Sequence, residues 1–371
     1  MRLRVLAAAL PLVLIACSSG PTKPQPAELV AFTPTVQVRQ VWSLRLAPLD
    51  FALKPQVHGD RLTLAASDGT LLQLDARDGR ELWRLPLGAP LSAGVGSDGQ
   101  TAAVVTRGNE LVAVQDGKVL WRQRLSAQAF TAPLVAGARV FVLTADRGVS
   151  AFDGRTGARL WTQQRPGNDA LVLRQPGVLL PVGDTLVAGL AGRLVGLNPL
   201  NGSVRWDAPV ATPRGINEIE RLVDLVEPAA RQANGVCARA FQAAVACVNT
   251  DTGNTVWSRP ADGTVGLATD GGLVFGSESN GNLLAWRRSN GERAWTYERL
   301  RFRELSAPLV VGRSVLVGDF QGQVHVLSAE DGKEQGRAAT DGSAVVATPV
   351  LAAGTVVVLT RSGGVFGLRL P

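Results

Sequence analysis

The sequence predicts an all-β protein: an eight-bladed β-propeller of four-stranded antiparallel blades, closed by its own N-terminal strand. Tryptophan recurs at Trp42, Trp83, Trp121, Trp161, Trp206, Trp257 and Trp295, and the last six each follow a turn glycine by four residues, at Gly79, Gly117, Gly157, Gly202, Gly253 and Gly291. Those glycines end Asp-Gly, Thr-Gly or Asn-Gly type turns, which need the positive φ that glycine adopts without strain. The period is roughly 40 residues and each copy holds several short apolar runs, the pattern of a blade that cannot bury both faces alone and must stack on neighbours.

Taken from the amino end, residues 1–16 are expected to be a lipoprotein signal peptide. Arg2 and Arg4 precede an apolar stretch from Val5 to Ile15 that is too short to span a bilayer as a helix and has the length of a secretory core. Leu14-Ile15-Ala16-Cys17 resembles the bacterial lipobox, in which a peptidase cuts before the cysteine and its thiol carries a diacylglycerol, so Cys17 is the expected lipid attachment site. A plain signal peptide ending near Ala16 is the alternative. Ser18 rather than Asp after the cysteine favours, by resemblance to bacterial lipoproteins, the outer membrane. Residues 17–34 are polar and Pro-rich and read as a lipidated, flexible tether.

The propeller is expected over 35–371. The strand before each turn is a series of eight: 71–75, 111–115, 149–153, 194–198, 244–248, 283–287, 324–328 and 365–369. Seven are followed by a turn and an outer strand, although in the seventh Gly336 holds the tryptophan position, four after Gly332. The eighth has no outer strand after it, whereas 35–46 carries Trp42 with no inner strands before it. Pairing that segment onto the last blade closes the ring and leaves no open seam. The tryptophans read as core. Trp286, where other blades carry Leu or Phe, reads as a larger packed side chain.

Hydrophobic residues make up 46%, charged residues 19%, and there are 41 glycines, which the turns consume. The formal charge of +7 falls by two when Arg2 and Arg4 leave with the signal. The remaining arginines are scattered without runs or interleaved aromatics, which argues against a nucleic-acid partner; weak attraction to anionic lipid is the alternative to a plain solvated surface. Cys237 and Cys247 flank one predicted hairpin of the fifth blade and are disulfide candidates. An odd connection centred on Gln242 would make them cross-strand partners and an even one would put them on opposite faces. His58 and His325 lie in different blades with no second His or Cys nearby, so no metal site is expected. One tyrosine, two histidines and aspartates explained by their turns leave no catalytic residue, no cofactor and no enzyme in this reading.

Loop lengths single out one region. From each tryptophan position to the glycine joining the next blade's two inner strands, most connections run 14 to 18 residues, but Trp161 to Gly183 is 22 and Trp206 to Gly235 is 29. In an up-and-down blade all such connections emerge on one face, so the two insertions, entering the fourth and fifth blades, are expected to be neighbours and to form a composite binding patch.

The unit Gly148-Val149-Ser150-Ala151-Phe152-Asp153-Gly154-Arg155-Thr156-Gly157-Ala158-Arg159-Leu160-Trp161 resembles the pyrroloquinoline-quinone propeller repeat. That resemblance covers nearly all of the mature chain and implies fold more than activity, because the repeat is a packing device. Dehydrogenases of this type hold the quinone against a tryptophan and a disulfide of adjacent cysteines, with acidic and amide ligands to calcium. No adjacent cysteines occur here, and a quinone-dependent dehydrogenase remains the alternative.

A lipobox joined to an eight-bladed quinone-type propeller resembles the BamB family, lipoproteins of the outer-membrane β-barrel assembly machinery. Leu171-Val172-Leu173-Arg174 in the first insertion is similar to that family's Leu-x-Leu-Arg, implicated in docking to BamA. Glu218-Ile219-Glu220-Arg221-Leu222-Val223-Asp224 in the second is similar to its Glu-Ile-Asp-Arg-Leu-x-Asp, with Val226 where the family has a further Asp. The resemblance implies a non-catalytic scaffold facing the periplasm, with BamA, the rest of the complex and unfolded outer-membrane proteins as partners. Leu171, Leu173, Arg174, Glu218, Arg221 and Asp224 are its expected partner-binding residues, with Asp224 orienting Arg174. Two plainer readings stand beside it: Leu171 and Leu173 as a core extension of an inner strand, and Glu218 with Arg221 as a local pair on a short helix. Exposed blade edges are a further expected place for substrate strands to add on. A carbohydrate-binding propeller would need exposed aromatics in the ring mouth, of which the sequence offers few.

Overall fold

The computed structural model describes residues 24–164, 171–213, 216–218 and 221–371. The signal peptide and Cys17 lie outside the described residues, as do Ile219 and Glu220. The described residues form eight four-stranded antiparallel sheets and no helix. Blades one to seven occupy 56–86, 96–124, 134–164, 179–209, 225–260, 267–297 and 309–339, with strands in chain order from the inside outwards. Blade eight takes three strands from 350–369 and its outermost from Arg39–Arg45, which pairs antiparallel with Gly364–Arg369. The second and third strands of a blade are largely buried on both faces because a blade is covered on each side by a neighbour, whereas an outer strand such as Arg159–Gln164 alternates exposed and half-buried residues.

The tryptophan series is explained by what each indole touches. A tryptophan lies against the turn glycine of the following blade: Trp42 on Gly79, Trp121 on Gly157, Trp161 on Gly202, Trp257 on Gly291 and Trp295 on Gly332, where a Cβ would fall 2.5–2.7 Å from the ring. Only glycine fits there, and its positive φ suits the turn as well. The same five indole N–H groups donate to the carbonyl three residues before that glycine, for example Trp42 to Ala76 at 3.0 Å and Trp257 to Arg288 at 2.7 Å. Within their own blades most of these rings stand directly opposite a small residue, such as Ala151, Gly196 or Gly367, whereas Trp83 stands opposite Gln73.

Gly336 interrupts the series for a steric reason. The Val36 carbonyl sits where its Cβ would be, and the Thr35 and Val36 N–H groups donate to the Gln335 carbonyl at 2.8 and 2.9 Å. The N-terminal chain takes the space that an indole fills elsewhere.

That chain is engaged well before residue 34. The Ala27 N–H donates to the Arg301 carbonyl at 2.9 Å, Arg303 Nη1 donates to the Ala27 carbonyl at 2.9 Å, and the Arg337 guanidinium lies 5.2 Å from the Phe32 ring centre. The segment expected as a flexible tether is thus held against blade seven from Ala27 onward, because that blade offers fixed cationic donors.

Those donors belong to a buried network. Arg303 Nε donates to Asp319 Oδ2 at 2.7 Å; His325, fully buried, has Nε2 3.0 Å from Asp319 Oδ2 and Nδ1 3.3 Å from Glu334 Oε1. Glu334 also accepts from Tyr297 and Arg337. Burial alone would raise both carboxyls, but bonds from His325, Gln323 and Arg303 to Asp319, and from His325, Arg337 and Tyr297 to Glu334, outweigh it and hold both below the usual carboxylate range. A depressed carboxylate contributes stability that is present above its unfolded value of about 4 and is lost as pH falls through the lower folded value. The thermal midpoint should therefore hold from pH 7 to about 5 and fall most steeply below about pH 4. In Asp319→Asn it should start lower at pH 7 and decline less with acid, which calorimetry across that range measures.

The hairpin of blade five settles the register left open by the sequence. The connection 241–243 is centred on Gln242 with φ +47°, and Cys237 stands directly opposite Cys247 with the sulfurs at bonding distance. Both are buried in a cluster with Trp257 and with Trp286, which fills the space between blades five and six. Closing so short a loop supports a contribution of about 2–3 kcal/mol. Reductant is expected to lower the thermal midpoint of the wild type and to leave that of a Cys237→Ala/Cys247→Ala chain unmoved.

Candidate functional site

Outer-to-inner connections all leave the disc on one face, here called the connection face; the tryptophan-contacting glycine turns lie on the other. The two longest connections span 165–178 and 210–224. They join into one unit. The Leu173 N–H donates to Asp224 Oδ2 at 2.8 Å, Gly177 bridges to Val226, and the Glu227 N–H donates to the Pro176 carbonyl at 2.9 Å. The Gly177 N–H donates to Thr131 Oγ1 at 2.9 Å, which ties the first connection to the one entering blade three.

Asp224 does not orient Arg174. It accepts from the Leu173 backbone and lies 3.9 Å from Arg147 Nη2, with both side chains about five-sixths buried, and Arg147 also reaches the Leu171 carbonyl at 3.4 Å. The geometric reason is that Asp224 points under the first connection while Arg174 projects away from it, exposed and without a hydrogen bond or ion pair among the described residues. Arg147 was missed by sequence reasoning. It sits in the turn between the second and third strands of blade three with φ +62°, and nothing in its local sequence distinguishes it from any other turn arginine.

Leu171 is exposed and Leu173 half-buried, and neither lies in a strand, so the core-extension reading fails. Leu173 instead borders a small cleft with Phe130, Leu143, Val172 and Leu225, an apolar depression beside the exposed Leu171 and Arg174. In the second connection Glu218 and Arg221 are exposed, and Ile216 is 95% exposed. Residues 216–218 form a bend and turn rather than a helix, and no hydrogen bond or ion pair joins Glu218 to Leu171, Leu173 or Arg174. Val223 packs on Gly192, and Val226 is buried in the strand Leu225–Gln232, so no carboxylate could be presented there without entering the core.

Arg174 stands at the mouth of a central cavity of about 730 Å³, which loops from all eight blades surround, among them Asp50, Arg107, Phe130 and Ala307. Lys54 and Glu227 pair across it at 3.3 Å. No tryptophan lines it, and among the described residues no group of three His, Cys, Asp or Glu side chains is placed to hold a metal ion.

Comparison with known proteins gives a consistent result. A family model described as outer membrane protein assembly factor BamB matches residues 26–86 and 67–297. The outer membrane protein assembly factor BamB of Burkholderia pseudomallei is 37% identical, covering 98% of this chain and 97% of that one. Its namesake in Bordetella pertussis is 34% identical over 95% and 92%. Among solved structures, BamB from Moraxella catarrhalis superposes with a TM-score of 0.82 at 24% identity, covering 90% of this chain and 100% of that one. Quinohemoprotein alcohol dehydrogenase from Comamonas testosteroni superposes with 0.70 at 14%, covering 89% and 76%. The two structural likenesses carry the fold alone.

Proposed function

The chain belongs to the BamB family of outer-membrane protein assembly factors, and from that membership we propose that it is a non-catalytic scaffold that binds BamA and assists folding and insertion of β-barrel outer-membrane proteins. In this reading Cys17 carries the lipid that anchors it to the outer membrane, facing the periplasm, and unfolded barrel proteins are its substrates. Exposed outer strands such as Arg159–Gln164 offer edges to which substrate strands can add.

One observation carries the reading: two insertions, clasped through Leu173 and Asp224, leave Leu171 and Arg174 outward on a rigid scaffold. An apolar side chain beside an exposed guanidinium suits a protein partner, because leucine fills a pocket and arginine makes a forked bond to carboxylate or carbonyl. The quinone-dehydrogenase alternative fits poorly, since among the described residues the central cavity offers neither a tryptophan to stack a quinone nor clustered metal ligands.

Affinity capture of the tagged chain from detergent-solubilised outer membranes tests the proposal. BamA is expected in the eluate. Its absence, or dye reduction appearing when quinone and calcium are added, would overturn it.

A further inference from the structure

We propose that residues 24–38 form a docked strap that turns the connection face, with both insertions and the cavity mouth, towards the bilayer. The inference rests on the Cys17 anchor proposed above.

The path of the strap can be followed contact by contact. Ala27 is bonded through both its N–H and its carbonyl to Arg301 and Arg303, which lie in the connection between blades six and seven, the counterpart of the two insertions. Leu29 packs on the cluster that contains Leu300 and Leu305. Phe32 lies under Arg337, within the outer strand Glu334–Ala339. Thr35 and Val36 reach Gln335, next to the turn that carries Gly332. The segment therefore descends the outside of blade seven from the connection face to the turn face before entering the strand Arg39–Arg45, and its amino end leaves at the connection face.

Docking satisfies buried groups. Arg303 is 3% exposed and directs its guanidinium to Asp319, to Gln321 and to the Ala27 carbonyl. The strap thus supplies an acceptor to an arginine that it also helps to cover.

Chain length converts this path into an orientation. Cys17 precedes Pro24 by seven positions, which span at most ~25 Å even when fully extended. A disc lying with its turn face on the bilayer would use nearly all of that length, because a six-residue strand makes each blade ~20 Å tall. With the connection face turned to the membrane the same residues need no extension.

The full chain, expressed with its leader and reconstituted in vesicles whose headgroups carry an acceptor dye, tests this. Glu304→Cys in the connection leading into blade seven and Asp331→Cys in that blade's turn, both exposed, are labelled singly with a donor. Energy transfer from position 304 is expected to exceed that from 331 by roughly twofold or more, given a blade height of ~20 Å. Inserting a Gly-Ser segment of about 20 residues between Lys23 and Pro24 is expected to abolish the difference, because a flexible linker of that length lets the disc turn freely. Equal or reversed transfer in the native-length chain overturns the orientation, as does a difference that survives the insertion. Mass spectrometry of the N-terminal peptide separates the two levels: Cys17 without lipid removes the anchor and this inference together, whereas lipidated Cys17 with reversed transfer removes only the orientation.

Discussion

Replacing Arg174 by Ala is expected to reduce recovery of BamA with the tagged chain at least about tenfold while leaving the thermal midpoint where it was. Arg174 is exposed and has no partner among the described residues, so its removal costs the fold little, whereas an arginine anchoring an interface typically carries about 2–4 kcal/mol. Leu173→Ala should weaken recovery similarly, with a small drop in midpoint because the side chain is half-buried over the cleft. Asp224→Ala should act at one remove, since it frees the Leu173 backbone and removes the carboxylate 3.9 Å from Arg147. Asp224→Asn keeps an acceptor for that N–H and should recover part of the loss. Unfolding of the Arg174 variant, or unchanged recovery of BamA in all of them, would discard this docking surface.

The largest effect on stability is expected from Trp42→Ala, about 3–5 kcal/mol by the usual cost of deleting a buried tryptophan. Trp42 rests on Gly367 in its own blade, holds Gly79 of the next and donates to Ala76, so one side chain joins the first strand, the last strand and the first blade. Trp83→Ala is the informative comparison. The turn after it, 116–117, has only two residues between strands, and no indole bond to a turn carbonyl accompanies its glycine contact. Urea titration of both should place Trp42→Ala at the lower midpoint. The reverse order would mean that ring closure contributes less than an ordinary junction.

The fold was legible because the same steric problem is solved seven times. Each blade supplies a turn glycine to the indole of the blade before it and, four residues on, an indole to the glycine of the blade after it, so one Gly-to-Trp spacing recurs along the chain and repetition lifts it above chance. The insertions were legible as departures from the period. What escaped notice depends on contacts between blades: Arg147 with Asp224, and Arg303 with Ala27, are far apart in sequence and have no repeat-equivalent partners. The assignment of Asp224 to Arg174 failed for a related reason, since proximity along two motifs does not fix which way a carboxylate points. The strap was hidden because an extended segment held by scattered hydrogen bonds has no apolar period to announce it, and Pro21, Pro24 and Pro26 made it look unattached.

Borrowing the outermost strand of blade eight from Arg39–Arg45 has a consequence for how the molecule comes into being. Gly364 follows Arg45 by 319 positions, so during synthesis from the amino end the first strand made is the last to find its mate. Until then both rims of an incomplete circle expose unsatisfied backbone, the state most prone to pairing with a stranger. Such distant pairing is intrinsically slow. Vectorial production thus leaves a long interval in which the nascent chain depends on being shielded, and a client-handling factor is itself, for that interval, a client.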